Sequence, residues 1–418
     1  MRIEFLGACR EVGRSAFVID DNDYRFQLDS GVKVHDHFEA HQEPKNPVKS
    51  IITTHAHLDH SGALPKSFKH HPAIAFTTFP TIPLIDLLVE DSIKIARQEG
   101  KTLPISRAEV KSMQKNLIPL PYNKRVPLTK KSEFELFDAG HILGSAQVMY
   151  RGGKNVFYTG DFRSSPSRLH AGASFPKESV DALIIESSYA MRAQPKRDEV
   201  EQRFADAVQS AVEEGRTVLI PCFAIGRTQE VLMVLKSRGV KANIHLDGMG
   251  REVNKIYHDY PTYLKNAEAL TAAIEDSTTV IDRAERKKIV KEPGVIIAGS
   301  GMLEGGTALS YIQKLNELGK GAVMLTGFQV NGCNGDTLLR QGFVKDRGKT
   351  VKIKLPVQLH NFSAHATPED LRDAVKRLGP EKVFCVHGEP EGCDAFAKEL
   401  REQGFDASAP RAGTAVEF

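Results

Sequence analysis

The residues most able to do chemistry together lie in TTHAHLDHSG, residues 53–62, directly after the apolar stretch VKSII. In an extended segment residues i and i+2 point the same way, so His55 and His57 can grip one metal ion together. A turn into a following helix redirects Asp59 and His60 toward a neighbouring ion. Two adjacent ions form the arrangement that clamps the attacking and leaving oxygens in phosphoester hydrolysis.

Four residues do not fill two sites, because each zinc takes about four ligands with one position kept for water. Further ligands must come from elsewhere in the chain. GHILGSA offers His141 after a strand-like stretch, and FYTGDF offers Asp161 at the end of another. Taken singly, His141 is an ordinary structural histidine and Asp161 a turn residue beside Gly160. Their order after H-x-H-x-D-H makes them candidate ligands, and a donor set rich in imidazole selects zinc over magnesium. VHDHFEAHQ carries a second histidine group, His35, His37 and His41. It sits in a polar stretch ahead of the next strand and reads as a solvated rim, as do His70 and His71 beside Pro72.

Positioning these groups requires strands. RIEFLGA, SAFVID, YRFQLD and VKSIITT are short segments rich in β-branched and aromatic residues, separated by Gly, Asp and Asn. After Pro83, IDLLVEDSIKIARQEG has helical spacing of apolar residues, and EFELFDAG, QVMYRGG and NVFYTGD return to strand character. From Asp181 the pattern changes to strand and helix in alternation, a doubly wound α/β grammar. It runs through DALIIES, RDEVEQRFADAVQSAVEEG, TVLIPCF, GRTQEVLMVLKSRG and ANIHLD, then GVIIAGS and GAVMLTGF. The chain closes with VKIKLPVQL, a helix over 368–378, KVFCVHGE and a last helix near 392–403. The expected division is 1–187, an inserted 188–350, and a completing segment 351–418.

Bulk properties bound the function. A chain of 418 residues, 41% hydrophobic and 26% charged, has the balance of a globular protein of two or three domains. No apolar run approaches the ~18 residues of a membrane span. The N-terminus MRIEFLGACREVG lacks the features of a signal peptide, so a cytoplasmic location is expected. The five cysteines lack zinc-ribbon or disulfide spacing and read as reduced thiols. A net charge of +3 leaves the substrate open.

LDSG, THAHLDH, GHILGSA and YTGDF, in this order over residues 1–187, resemble motifs one to four of the metallo-β-lactamase superfamily. The resemblance implies an αββα sandwich with His55, His57 and His141 on a first zinc, Asp59 and His60 on a second, and Asp161 bridging both. Asp29 of LDSG would orient a ligand through a hydrogen bond. Glu186 in IIESSY, Ser363 and His365 in NFSAH, and His387 in VFCVHGE resemble motifs A, B and C of the β-CASP nucleases. ACREVGRSAF, IPCFAIGRTQE, AGSGMLEGG and LTGFQVNG extend the likeness over nearly the whole chain. In length the chain is similar to archaeal cleavage-and-polyadenylation-factor-like ribonucleases, without their N-terminal KH extension.

A histidine in the last motif is typical of RNA-processing members. The resemblance therefore implies a ribonuclease with two zinc ions per chain, acting as an endonuclease, a 5′→3′ exonuclease, or both. His387 becomes a ligand of the second zinc, and His365, oriented by Glu186, a general acid for the leaving 3′ oxygen. Arg10, Arg14, Arg227, Ser300, Gly301 and Ser363 become candidate RNA or phosphate contacts. The expected partners are RNA, with a homodimer or processing-complex subunits beside it. The competing readings are a DNA nuclease or small-ester hydrolase on the same metals, and an inactive scaffold of a 3′-end processing complex. The intact ligand set weighs against the scaffold.

Overall fold

The computed structural model describes residues 1–22, 24–33, 38–68, 74–98 and 100–418. The chain divides into two compact units. The first comprises residues 1–166, 172–193 and 364–418; the second comprises 167–171 and 194–363.

The first unit is built on two seven-stranded sheets. One runs in the order Thr414–Glu417, Arg2–Phe5, Phe17–Asp21, Tyr24–Leu28, Ser50–Ile52, Ile74–Thr78 and Leu117–Leu120. The other runs Asp406–Ser408, Lys382–Val386, Ala182–Glu186, Asn155–Tyr158, Ala146–Arg151, Glu133–Asp138 and Val126–Pro127. Alternation along each strand decides what each face buries. Ile3, Phe5, Phe17, Phe26 and Ile52 of the first sheet join Phe134, Val148, Val156, Tyr158, Ile184 and Phe384 of the second in one buried core. The two sheets therefore pack face to face.

The alternate residues of the second sheet, Phe157, Leu183, Ile185, Val383 and Cys385, enter another core with Leu371, Val375, Leu378, Phe396 and Leu400. Those last five belong to the helices Pro368–Leu378 and Pro390–Glu402, which form an outer layer. Thr367 caps the first of them, its hydroxyl accepting from Asp370 N at 3.1 Å. On the first sheet, Thr81–Gln98 and Arg107–Asn116 pack against Ile74–Thr78. The layers are helix, sheet, sheet, helix, the expected αββα sandwich. Thr81–Gln98 begins two residues before Pro83, which the first helical turn tolerates.

The second unit holds a six-stranded sheet in the order Ser277–Thr279, Ile244–Asp247, Gly294–Ala298, Thr217–Pro221, Gly321–Leu325 and Val357–Leu359. Every pairing in it is parallel. Helices such as Arg227–Ser237 and Gly306–Leu318 join its strands, as crossover connections between parallel strands require. Val357–Leu359 still belongs to this sheet, so the chain returns to the first unit at Ala364. Among the described residues no helix is long and apolar enough to cross a membrane.

Candidate metal centre

Strand ends of the first unit supply the site. Ser50–Ile52 leads through His55 to His57, which stands at the N-cap of the short helix Leu58–Ser61; that helix carries Asp59 and His60. His141 lies between Glu133–Asp138 and Ala146–Arg151, and Asp161 follows Asn155–Tyr158. Glu186 ends Ala182–Glu186, and His387 follows Lys382–Val386. All seven predicted ligands converge. His55, His57, His141 and Asp161 form one group of donors, and Asp59, His60, Asp161 and His387 form another, with the donor atoms of each group within 4.8 Å of one another.

Asp161 belongs to both groups through different oxygens. Its Oδ2 lies 3.5 Å from His55 Nε2 and 3.7 Å from His141 Nε2. Its Oδ1 lies 3.3 Å from His60 Nε2 and 3.6 Å from His387 Nε2. His57 Nδ1 is 3.2 Å from His141 Nε2, and Asp59 Oδ2 is 3.6 Å from His387 Nε2. His55 Nε2, Asp161 Oδ1 and His387 Nε2 are buried without a hydrogen-bond partner among the described residues. Stranded buried polar atoms are costly. Convergence of imidazole and carboxylate donors of this kind fits metal ions, whose coordination would satisfy those atoms.

The rings are aimed by the nitrogens that face away from the site. His60 Nδ1–H donates to Asp29 Oδ2 at 2.7 Å, and Tyr158 Oη–H donates to the same oxygen at 2.8 Å. Thr54 Oγ1 donates to Asp29 and accepts from His55 Nδ1–H at 3.1 Å. His141 Nδ1–H donates to Ala364 O at 2.9 Å, and His387 Nδ1 meets Ser15 Oγ at 3.1 Å. Each of these four rings is left with Nε2 toward the donors, and a fixed tautomer is what metal-binding histidines need. Asp29 and His387 hold left-handed backbone, at φ 57° and 49°. Such strain in non-glycine residues collects at functional sites.

Burial and charge divide the histidines. Burial, and then the charge of His60, hold His55 well below the ordinary histidine range; burial lowers His57, and burial with His365 lowers His141. Neutral rings are the form that binds metal. At His60 burial opposes protonation, but Asp161, Asp29 and Asp59 outweigh it and push the ring well up. Burial also works against the charge of Asp161, yet His387, His60 and His365 hold its carboxyl well below the usual range.

Glu186, His365 and Asp161 form a third group beside the first two. His365 Nδ1–H donates to Glu186 Oε2 at 3.0 Å, and its side chain is 25% exposed, where His55, His60, His141 and His387 are buried. Burial lowers its pKa, but Glu186 and Asp161 prevail and lift it to about 9. Glu186 also accepts from Phe162 N at 2.9 Å, so its carboxylate is anchored.

The candidate RNA contacts are more scattered. In the first unit Arg10 Nη1 pairs with Asp394 at 2.6 Å, and Arg14 pairs with Glu11 and Glu39. In the second unit Arg227 opens its helix, and Ser300 Oγ accepts from Glu304 N at 3.0 Å. Gly301 lies so close to Phe223 that a β-carbon would come within 2.9 Å of its backbone nitrogen. Ser363 is buried. His35, His37, His70 and His71 lie outside the described residues; His41, expected on a solvated rim, is instead buried, 2.9 Å from Ser30 Oγ. Ser15, Thr54, Tyr158 and the Ala364 carbonyl were not anticipated from sequence.

An αββα sandwich with paired histidine–aspartate groups at its strand ends defines a metal-dependent hydrolase of the metallo-β-lactamase type. Family comparison agrees. Residues 9–78 match the metallo-beta-lactamase superfamily, 228–338 the Beta-Casp domain, and 350–410 the Zn-dependent metallo-hydrolase RNA specificity domain. The chain is 36% identical to "Probable RNase MJ4" of Methanocaldococcus jannaschii over all of both chains. It is 34% identical to "Transcription termination factor FttA" of that organism, over 96% of this chain and 69% of that protein. With "RNase aCSPSF2" of Saccharolobus solfataricus it shares 32% identity, over 99% and 85%. A crystal structure of a protein of unknown function from Enterococcus faecalis V583 shares the fold at TM-score 0.60 and 14% identity, over 99% of both chains. The chain belongs to the β-CASP family of the metallo-β-lactamase superfamily, and these archaeal relatives are cleavage-and-polyadenylation-factor-like proteins.

Proposed function

We propose that the chain is a zinc-dependent ribonuclease that hydrolyses RNA phosphodiester bonds. The observation that carries this reading is the full-length match to a relative named as an RNase, on a chain whose two donor groups share Asp161. His55, His57, His141 and Asp161 Oδ2 would hold one ion; Asp59, His60, His387 and Asp161 Oδ1 would hold the other. The donor set is mostly imidazole, which favours zinc over magnesium. Two such ions supply an activated water and offset charge on the phosphate oxygens.

The remaining work falls to protein side chains. Asp29 fixes His60 directly and His55 through Thr54, so one carboxylate orients a ligand of each ion. Glu186 holds the Nδ1 side of His365, leaving Nε2 to deliver a proton to the departing 3′ oxygen. RNA is the proposed partner, in a homodimer or within a processing complex, with endonucleolytic and 5′→3′ exonucleolytic cutting both open to this centre.

The reading is tested with RNAs labelled at either end and bearing a 5′-triphosphate or 5′-monophosphate, beside a His387→Ala control. Internal fragments identify an endonuclease, and mononucleotides from 5′-monophosphate RNA an exonuclease. Equal background from wild type and variant would refute ribonuclease activity.

A further inference from the structure

Residues 345–354, KDRGKTVKIK, hold five of the chain's 56 lysines and arginines and a single acid, in a protein whose net charge is only +3. They form a hairpin of the second unit, Phe343–Asp346 paired antiparallel with Lys349–Lys352. Its turn, Arg347–Gly348, has positive φ at both residues, 48° and 77°, the geometry favoured in two-residue hairpins. Lys345, Arg347, Lys349, Lys352 and Lys354 are all exposed, and none has a carboxylate partner among the described residues. Nearby Lys314 and Arg340, by contrast, are paired with Glu317 and Asp336.

The hairpin is firmly held. Val344, Ile353 and Leu355 are buried in the core of this unit, with Val351 packed against it. Lys345 N donates to Asn334 Oδ1 at 2.6 Å, and Asn334 Nδ2 donates back to Lys345 O at 2.8 Å. Asn316 does the same one strand over, accepting from Lys354 N at 2.7 Å and donating to Lys352 O at 2.9 Å. Five unneutralised cations on a fixed backbone repel one another, an arrangement at odds with stability alone. The register pairs Lys352 with Phe343 and Lys345 with Thr350, so Lys345 and Lys352 share one face of the hairpin.

We propose that this hairpin is a docking surface for the phosphate backbone of RNA, a reading that rests on RNA being the substrate. The test is anisotropy of a labelled single-stranded RNA against the full chain over a series of KCl concentrations. Lys345→Gln/Lys349→Gln/Lys352→Gln should raise Kd about tenfold near 0.1 M salt. It should also flatten the slope of log Kd against log salt by roughly 2, at ~0.7 per phosphate contact on a single strand. Arginine at the same three positions should restore both, which separates charge from folding. Lys115→Gln/Lys130→Gln/Lys131→Gln removes equal charge from exposed positions elsewhere and should change neither.

An unchanged slope in the hairpin variant, or an equal change in the control, overturns the proposal. So does retention of RNA binding with loss of polyglutamate binding, which would assign the surface to an acidic protein. Cleavage of the same RNA is followed separately. If the chain binds RNA through the hairpin without cutting it, the ribonuclease reading fails and the docking surface stands.

Discussion

Asp161 presents one oxygen to each donor group, and His365 stands beside it on Glu186. If His365 protonates the leaving oxygen, its loss must matter most when that oxygen is a poor leaving group. His365→Ala should slow RNA cleavage by ~10²–10⁴-fold, the usual range for a general acid. Hydrolysis of bis(p-nitrophenyl) phosphate, whose leaving group needs no proton, should fall far less; equal losses on both substrates would remove His365 from that role. Asp29 acts one step further out. Asp29→Asn should weaken metal binding by ~10–100-fold, read by chelator competition, and undiminished affinity would show that the Asp29 bonds do not tune the ligands.

At the scale of elements, the loops between strands and helices must approach one another closely. Gly31 sits beneath the bond from Ser15 N to Asp59 O, where a β-carbon would fall 1.7 Å from that carbonyl oxygen and 2.7 Å from Ser15 N. Gly31→Ala should cost more than ~3 kcal/mol of stability, since backbone must move. A melting temperature within a degree or two of wild type would contradict the close approach.

The strand Glu133–Asp138 ends on a half-buried acid whose pKa desolvation raises to about 6, although Gly140 N donates to it at 2.8 Å. A carboxyl raised on folding stabilises the fold below its unfolded pKa, near 3.8, and that contribution is lost as pH rises through about 6. Asp138→Asn should therefore leave stability unchanged near pH 4 and raise it by on the order of 2 kcal/mol at pH 8. Urea melts at the two pH values decide this, and a variant that gains nothing at pH 8 would contradict it.

The same scale explains what sequence could reveal. His55, His57, Asp59 and His60 were legible because their donors crowd into six residues whose spacing has few other uses. Ser15 and Thr54 lie inside recognisable motifs, but a single hydroxyl carries no ligand signal of its own, and the Ala364 carbonyl is backbone, so none of the three was singled out. Asn334 and Asn316, which hold the basic hairpin, are polar residues met far along the chain from what they bind. The hairpin itself was hidden because a net charge averages over the whole chain. VKIKLPVQL was read as a single closing segment; the structure splits it between the hairpin and the edge of a parallel sheet.

Across the whole molecule, stability of the first unit depends on the face-to-face sheets. Phe384 lies in that core, 2% exposed, with its ring 5.0 Å from Phe5 on the opposing sheet. Phe384→Ala should cost ~3–5 kcal/mol in denaturant melts, and a loss under 1 kcal/mol would mean the sheets do not meet there. The inserted parallel sheet contributes no residue to the three donor groups, all of which lie in the first unit. Chemistry at the strand ends of the sandwich and the proposed RNA docking at the hairpin should therefore be separable by mutation.

The most direct test of the central claim is a zinc titration of chelator-stripped protein, followed by cleavage of end-labelled RNA. Two donor groups that share Asp161 predict no cleavage without metal and a rise to a plateau at two equivalents of zinc per chain. Full cleavage in the presence of chelator, or no cleavage at any zinc concentration, would contradict it.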